Sequence, residues 1–77
     1  MNVSTAQAPA ALTITLNGED RRLDGPTTVL GLLEQLGFEP RTIAIERNLE
    51  IVPRSAYATT PLAPGDRIEI VKFVGGG

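Results

Sequence analysis

Apolar and polar residues alternate near the start of the chain. Residues 12–16 read LTITL, and this period of two predicts a strand with one buried face. The dipeptide Asn17-Gly18 follows, and it readily adopts the positive φ angles of a tight hairpin turn. A polar second strand at residues 20–24 is expected to return beside the first. The chain is therefore predicted to open with a β-hairpin.

The pattern then changes to a helical period. Thr27 or Thr28 can cap the N terminus of this helix, and Gly37 can supply a left-handed cap at its C terminus. Gly31 lies inside the helix at a cost of about 1 kcal/mol relative to alanine, which indicates either tight packing or a tolerated weakness. The apolar residues recur at i, i+3, i+4 and i+7: Val29, Leu32, Leu33 and Leu36. One apolar stripe predicts a helix that lies on one face of a sheet.

The second half of the chain predicts three more strands. Residues 42–47 read TIAIER, with Ile43 and Ile45 expected to point inward. A short strand at residues 51–52 is stopped by Pro53. The other predicted features are a turn at Asn48, a helical turn at residues 55–57, a turn at residues 63–66 and a last strand at residues 67–74.

The order of these elements predicts an α+β fold with a mixed sheet and one main helix across one face. Strand, strand, helix, strand, short strand and strand is the β-grasp, or ubiquitin-like, arrangement. In that arrangement the last strand lies in the middle of the sheet, parallel to the first. The residues that follow the last strand are therefore expected to project outward from a rigid element.

The last strand is expected to have two different faces. Ile68 and Ile70 alternate toward the helix, whereas Val71 and Phe73 point to the face that no second helix covers. Exposed apolar groups of this kind often mark a protein interface, although scattered apolar residues are also common on surfaces. Because these residues adjoin the chain's exit, we predict that Val71, Phe73 and Val74 bind a partner.

Composition excludes several function classes. The net charge is -2 and there is no long basic run, so neither nucleic acid nor an anionic membrane is an expected partner. The chain has no cysteine and no histidine, which removes the usual nucleophiles, proton shuttles and transition-metal ligands. No pair of carboxylates has a spacing that indicates acid/base catalysis. An enzyme made from this chain alone would therefore need carboxylates or lysine, and we expect no metal site.

The two ends of the chain are expected to be separate from the folded domain. Residues 1–11 lack both a basic segment and a continuous apolar segment, so they are interpreted as a mobile lead-in, not a secretion signal. No run reaches the roughly 20 apolar residues of a membrane span, and a cytoplasmic protein is expected. The predicted organisation is a lead-in at 1–11, a domain at 12–74 and a glycine tail at 75–77.

Three glycines end the sequence, Gly75, Gly76 and Gly77. Without a Cβ, they can extend through a channel that is too narrow for side chains. The α-carboxylate of Gly77 is ionised at neutral pH, and it can attack the α-phosphate of ATP when a second protein holds the phosphates and a metal ion. The product would be an acyl-adenylate. Alternatively, a glycine-rich end is a plain linker or a cloning remnant.

Much of the chain resembles one family. The hairpin LTITLNGED, the helix TTVLGLLEQLG and the segment IAIERNLEIVPRSAYATTPLAPGDRIEIVKFVGGG resemble the sulfur carrier proteins of thiamine biosynthesis, the ThiS family, from Leu12 to Gly77. The most specific parts are IVPR at 51–54, PGD at 64–66 and the terminal glycines. Within this likeness, Arg54 is open to a structural role or a partner contact. Tyr57 is expected to be a packed or half-packed aromatic residue and not a recognition group.

The resemblance implies a carrier that other enzymes act on. A partner adenylyltransferase would activate Gly77 with ATP and Mg, so this chain would bind no cofactor itself. Sulfur from a donor such as a cysteine desulfurase would convert Gly77 to a thiocarboxylate, while Gly75 and Gly76 thread the partner's channel. The thiocarboxylate would then deliver its sulfur to thiazole synthase. Two related alternatives are the small subunit of molybdopterin synthase and a ubiquitin-like protein modifier, and a plain interaction domain is a third.

Overall fold

The structure, a computed structural model, describes residues 11–73. It contains five strands, one α-helix and two short 3₁₀ helices. The strands are β1 (Leu12–Leu16), β2 (Glu19–Leu23), β3 (Ile43–Arg47), β4 (Glu50–Val52) and β5 (Arg67–Lys72), the helix is α1 (Val29–Leu36), and the 3₁₀ helices span Pro40–Thr42 and Arg54–Thr59. The order of elements along the chain is the predicted one.

The five strands form one mixed sheet in the order β2-β1-β5-β3-β4. β1 and β5 are parallel, and the pairs β1–β2, β3–β4 and β3–β5 are antiparallel. The last strand is thus the central one and runs parallel to the first. This topology, with a single α-helix on one side, confirms the predicted α+β β-grasp fold.

Several predicted boundaries were wrong by one or more residues. β2 begins at Glu19 and ends at Leu23, since Leu23 pairs with Leu12 and is buried in the core. β3 begins at Ile43 because the preceding Pro40–Thr42 segment forms a 3₁₀ turn. The helical turn predicted at 55–57 extends over Arg54–Thr59, and β5 ends at Lys72.

The ends of α1 follow the chemistry of its capping residues. The hydroxyl of Thr28 accepts a hydrogen bond from the Gly31 N–H at 3.1 Å, which satisfies one of the free donors of the first turn. Gly37 has a φ of 81° and closes the last turn in the left-handed conformation. A methyl group on Gly31 would collide with the hydroxyl of Thr27. The Thr27 side chain would have to move to admit a larger residue at position 31, which fits the tight-packing interpretation.

The core lies between α1 and the sheet face below it. Aliphatic side chains from every element of the sheet meet the helix stripe, and the one buried aromatic residue among the described residues is Tyr57, as the sequence predicts. The buried apolar residues are Leu12, Ile14, Leu23, Val29, Leu32, Leu33, Ile43, Ile45, Val52, Tyr57, Leu62 and Ile68. Ile70 packs at the edge of this cluster, so both predicted inward positions of β5 are confirmed.

Candidate functional site: the open sheet face and the exit of the last strand

Backbone hydrogen bonds fix the central strand β5 to the sheet up to the end of the described segment. β5 pairs with β3 over five residue pairs, and the N–H of Phe73 donates to the carbonyl of Thr42 at 2.9 Å. Backbone hydrogen bonds therefore continue one residue beyond the end of β5. The described segment therefore ends at a residue that is hydrogen-bonded to the sheet.

The start of β5 is fixed by the carboxylate of Asp66. This carboxylate is buried and accepts hydrogen bonds from Arg47 Nε at 2.9 Å, Asn48 Nδ2 at 3.1 Å and the Ala63 N–H at 2.8 Å. Burial alone would raise the pKa of Asp66, but these hydrogen bonds and the charge of Arg47 together lower that pKa below its usual value. The network joins the end of β3 to the turn before β5.

The side chain of Asn17, the residue that follows β1, forms hydrogen bonds with the middle of β5. The Ile70 N–H donates to Asn17 Oδ1 at 2.7 Å, and Asn17 Nδ2 donates to the Ile70 carbonyl at 3.2 Å. The side-chain amide of Asn17 thus makes the two backbone hydrogen bonds that a further residue of β1 would otherwise make with β5. A groove of about 420 Å³ lies beside it, lined by Leu16, Asn17, Glu19, Leu36, Phe38, Ile70 and Lys72.

The sheet face away from α1, here called the open face, carries exposed apolar side chains. Val71 is 53% exposed and Phe73 is 57% exposed, as expected from the alternation in β5. Ile51 on the edge strand β4 is 70% exposed. The sequence predicts a strand at Ile51 without assigning its side chain to a face. It lies opposite Glu46 in β3, and Ala44 lies opposite Val71, so all of these side chains share the open face.

Two glutamates occupy neighbouring positions on the same surface. Glu46 in β3 and Glu69 in β5 are direct cross-strand partners, and both are partly buried. Neither belongs to an ion pair within the described segment, where Arg47 and Asp66 form the single salt bridge. The sequence analysis did not predict this pair, because the residues of one strand do not show how that strand aligns with its neighbour in the sheet.

The other predicted site residues have different outcomes. Val74, Gly75, Gly76 and Gly77 lie outside the described residues, and so do the predicted boundaries of the tail, which stay predictions. The role of Val71 and Phe73 in partner binding also stays a prediction, although their exposure fits it. Arg54 is exposed.

Residues 11–73 contain neither a metal-binding cluster nor a membrane-spanning helix. In this part of the chain, no three His, Cys, Asp or Glu side chains come together as a metal site. Its helices are also too short or too polar for any of them to cross a membrane.

Comparison with known proteins gives one consistent family. The model of the ThiS family matches residues 14–77. The sulfur carrier protein ThiS of Bacillus subtilis is 40% identical over 65 residues, which cover 83% of this chain and 98% of that protein. A thiazole synthase of Paramagnetospirillum magneticum is 50% identical over 64 residues, which cover 83% of this chain and 20% of that protein. This chain therefore corresponds to only a fifth of the synthase's length.

The fold has a matching crystal structure. The thiamine biosynthesis protein (ThiS) of Geobacter metallireducens superimposes with a TM-score of 0.75 at 32% sequence identity. The superposition covers 86% of this chain and 100% of that chain. The likeness therefore extends over the whole sheet and helix, not over a single motif.

Proposed function

The chain belongs to the ThiS family, and from this premise we propose that it is a sulfur carrier for thiamine biosynthesis. One observation carries the proposal: the family match extends to Gly77, the residue whose carboxylate would be activated. The match to the Bacillus subtilis sulfur carrier supports it, because it covers 98% of that protein at 40% identity. The same match favours the thiamine pathway over molybdopterin synthesis and protein modification.

The hydrogen bond of Phe73 to the sheet supports this role, because it fixes the chain shortly before the glycine tail begins. Four residues, Val74 and the three glycines, follow the hydrogen-bonded Phe73. At about 3.5 Å per residue they can span at most about 14 Å. We propose that Gly75, Gly76 and Gly77 thread into partner enzymes through a channel that admits backbone alone, so that the last carbonyl reaches a buried active site.

The proposed chemistry takes place in two steps at Gly77. Its carboxylate oxygen attacks the α-phosphorus of ATP in a partner adenylyltransferase, with Mg bound by that partner, and pyrophosphate leaves. A sulfur nucleophile then attacks the carbonyl of the acyl-adenylate and releases AMP. If the sulfur comes from a persulfide, such as one made by a cysteine desulfurase, a thiol must cleave the resulting S–S bond. The product is a glycyl thiocarboxylate.

In this proposal the chain is a substrate of enzymes and not an enzyme itself. The absence of histidine and cysteine from the sequence supports this, because those residues would be needed for most nucleophilic or proton-transfer steps. Thiazole synthase would be the acceptor that consumes the sulfur. Since the activation step uses ATP, we propose the cytoplasm as the place where the cycle runs.

Intact-mass spectrometry tests the proposal directly. The protein is incubated with ATP, Mg, a sulfur source and the adenylyltransferase of the source organism. We expect a mass gain equal to the replacement of one oxygen by sulfur. A chain that lacks Gly77 and the variant Gly76→Leu should show no gain, because the first lacks the reactive residue and the second blocks the channel.

The control is Gln35→Leu, which introduces the same side chain at an exposed position of α1. It should load sulfur like the original protein. If the original protein gains no sulfur, the carrier function is wrong. If Gly76→Leu loads as well as the control does, the threading argument is wrong even though the carrier function survives.

A further inference from the structure

The open face places two like charges at neighbouring positions of adjacent strands. Glu46 and Glu69 lie directly opposite each other, where Cβ atoms of cross-strand neighbours are about 4.5–5.5 Å apart and like charges repel. Both side chains are partly buried, which weakens screening by water. Arg67 lies two residues before Glu69 in β5, but it forms an ion pair with neither carboxylate in the described chain.

Apolar side chains lie next to this pair. Ile51 is the cross-strand neighbour of Glu46 on the other side, and Val71 follows Glu69 on the same face of β5. Both are more than half exposed. A protein that covered these apolar groups would also remove water from the two carboxylates. Their repulsion would then grow unless the covering surface supplied a positive charge.

An arginine or lysine from a partner would resolve this conflict. Placed between the two carboxylates, it would form charge-assisted hydrogen bonds, and the surrounding apolar contacts would strengthen the attraction by excluding water. The surface therefore has a defined complement, a cationic side chain surrounded by apolar groups. An apolar patch alone would not specify that chemistry.

We propose that the acidic-apolar face, defined as Ala44, Glu46, Ile51, Glu69 and Val71, docks thiazole synthase through an arginine or lysine that inserts between Glu46 and Glu69. This inference rests on the proposed function and adds the surface and the chemistry of recognition. The relative from Paramagnetospirillum magneticum, a thiazole synthase, contains a segment 50% identical to this chain, which supports this enzyme as the occupant. The face also adjoins Phe73, which precedes Val74 and the three glycines in the sequence.

The proposal predicts opposite effects on folding and on binding. Glu46→Gln removes the repulsion, so its thermal unfolding midpoint should rise by about 1–4 °C. The same variant should bind thiazole synthase about tenfold more weakly, because it loses one of the two charges that hold the cation. Glu46→Lys should be at least as stable as Glu46→Gln, since it faces Glu69 with an opposite charge, yet it should bind still more weakly.

The experiment is calorimetric titration of the source organism's thiazole synthase with the full-length carrier. Glu46→Gln, Glu69→Gln and Glu46→Lys are compared with Glu34→Gln, which removes the same charge from an exposed position on α1, on the other side of the sheet. The control should bind like the original protein. Added salt should weaken binding of the original protein more than binding of Glu46→Gln.

Each outcome decides the docking proposal. Weaker binding by the two Glu→Gln variants and unchanged binding by the control would support it. Equal binding by all the variants would overturn it and leave the carrier function intact, as long as the sulfur-loading assay succeeds. Weaker binding to the adenylyltransferase alone would also overturn it, since the face would then serve another partner. If the original protein does not bind thiazole synthase, the docking proposal and the proposed acceptor both fail.

Discussion

The two faces of the sheet use the same strands for different purposes. In β5, Ile68 is fully buried beneath α1, whereas Val71, three residues later on the opposite face, is 53% exposed. β3 has the same division, with Ile43 and Ile45 in the core and Glu46 on the open face. The covered face buries the core, while the open face carries two neighbouring glutamates and exposed apolar groups. The residues that form the core and those proposed to bind a partner therefore lie on opposite faces of the same sheet.

The largest effect is expected for a cavity in the covered face. Ile45→Ala removes a completely buried side chain from β3 and should lower the free energy of unfolding by about 3 kcal/mol. Val71→Ala on the open face is the matched truncation and should cost less than about 1 kcal/mol. Urea unfolding followed by circular dichroism measures both. Equal losses would show that the open face contributes to the core, contrary to the comparison.

The second effect concerns the polar network at the start of β5. Asp66→Asn keeps the shape of the side chain but removes the charge that Arg47 faces, and it should cost about 2 kcal/mol at pH 7. Because the pKa of Asp66 is lowered in the folded state, its contribution is fully present above the unfolded value of about 3.9 and is lost as pH falls through the folded pKa.

Urea unfolding of both proteins between about pH 7 and pH 3 tests this sign. The difference between the original protein and Asp66→Asn should stay constant above about pH 5 and should shrink in acid. Asp24→Asn, at an exposed position, is the control and should show a small difference throughout. A difference that grows toward low pH would contradict the lowered pKa.

The smallest effect on stability is expected on the open face itself. Val71→Lys should leave the free energy of unfolding within about 0.5 kcal/mol, because the side chain is largely exposed. It should nevertheless weaken binding to thiazole synthase, since it replaces an apolar contact with a charge that repels the proposed cation. Thr13→Lys, on the same face but in β1, should bind normally. Calorimetry measures the binding and thermal melting measures the stability. If Val71→Lys and Thr13→Lys bind thiazole synthase equally well, this prediction is wrong.

The elements of the fold could be predicted because their patterns are local. The alternation in LTITL, the i, i+3, i+4, i+7 stripe of α1 and the glycine after it depend only on neighbouring residues. The boundaries were less accurate because they depend on distant partners. Asp24 lies outside β2 because Leu12, the first residue of β1, pairs with Leu23, and Thr42 lies before β3 because Pro40 starts a 3₁₀ turn.

The exposed apolar residues that β5 contributes to the candidate site were also predictable from the sequence. The alternation of side chains along β5 is enough to place Val71 and Phe73 on the uncovered face. Alternation along one strand does not show which residue of the neighbouring strand lies opposite each side chain. Ile51, Glu46 and Glu69 meet on one face only because β3 pairs with β4 on one side and with β5 on the other.

The sequence by itself determined the strand and helix periods, the caps of α1, the order of elements and the glycine ending, since each is set by residues close together in the chain. Tertiary structure alone decided the burial of Asp66 and the opposition of Glu46 to Glu69. These features join residues up to 23 positions apart, because Glu46 pairs with Glu69. Only the sheet register and the packing of α1 bring such residues together.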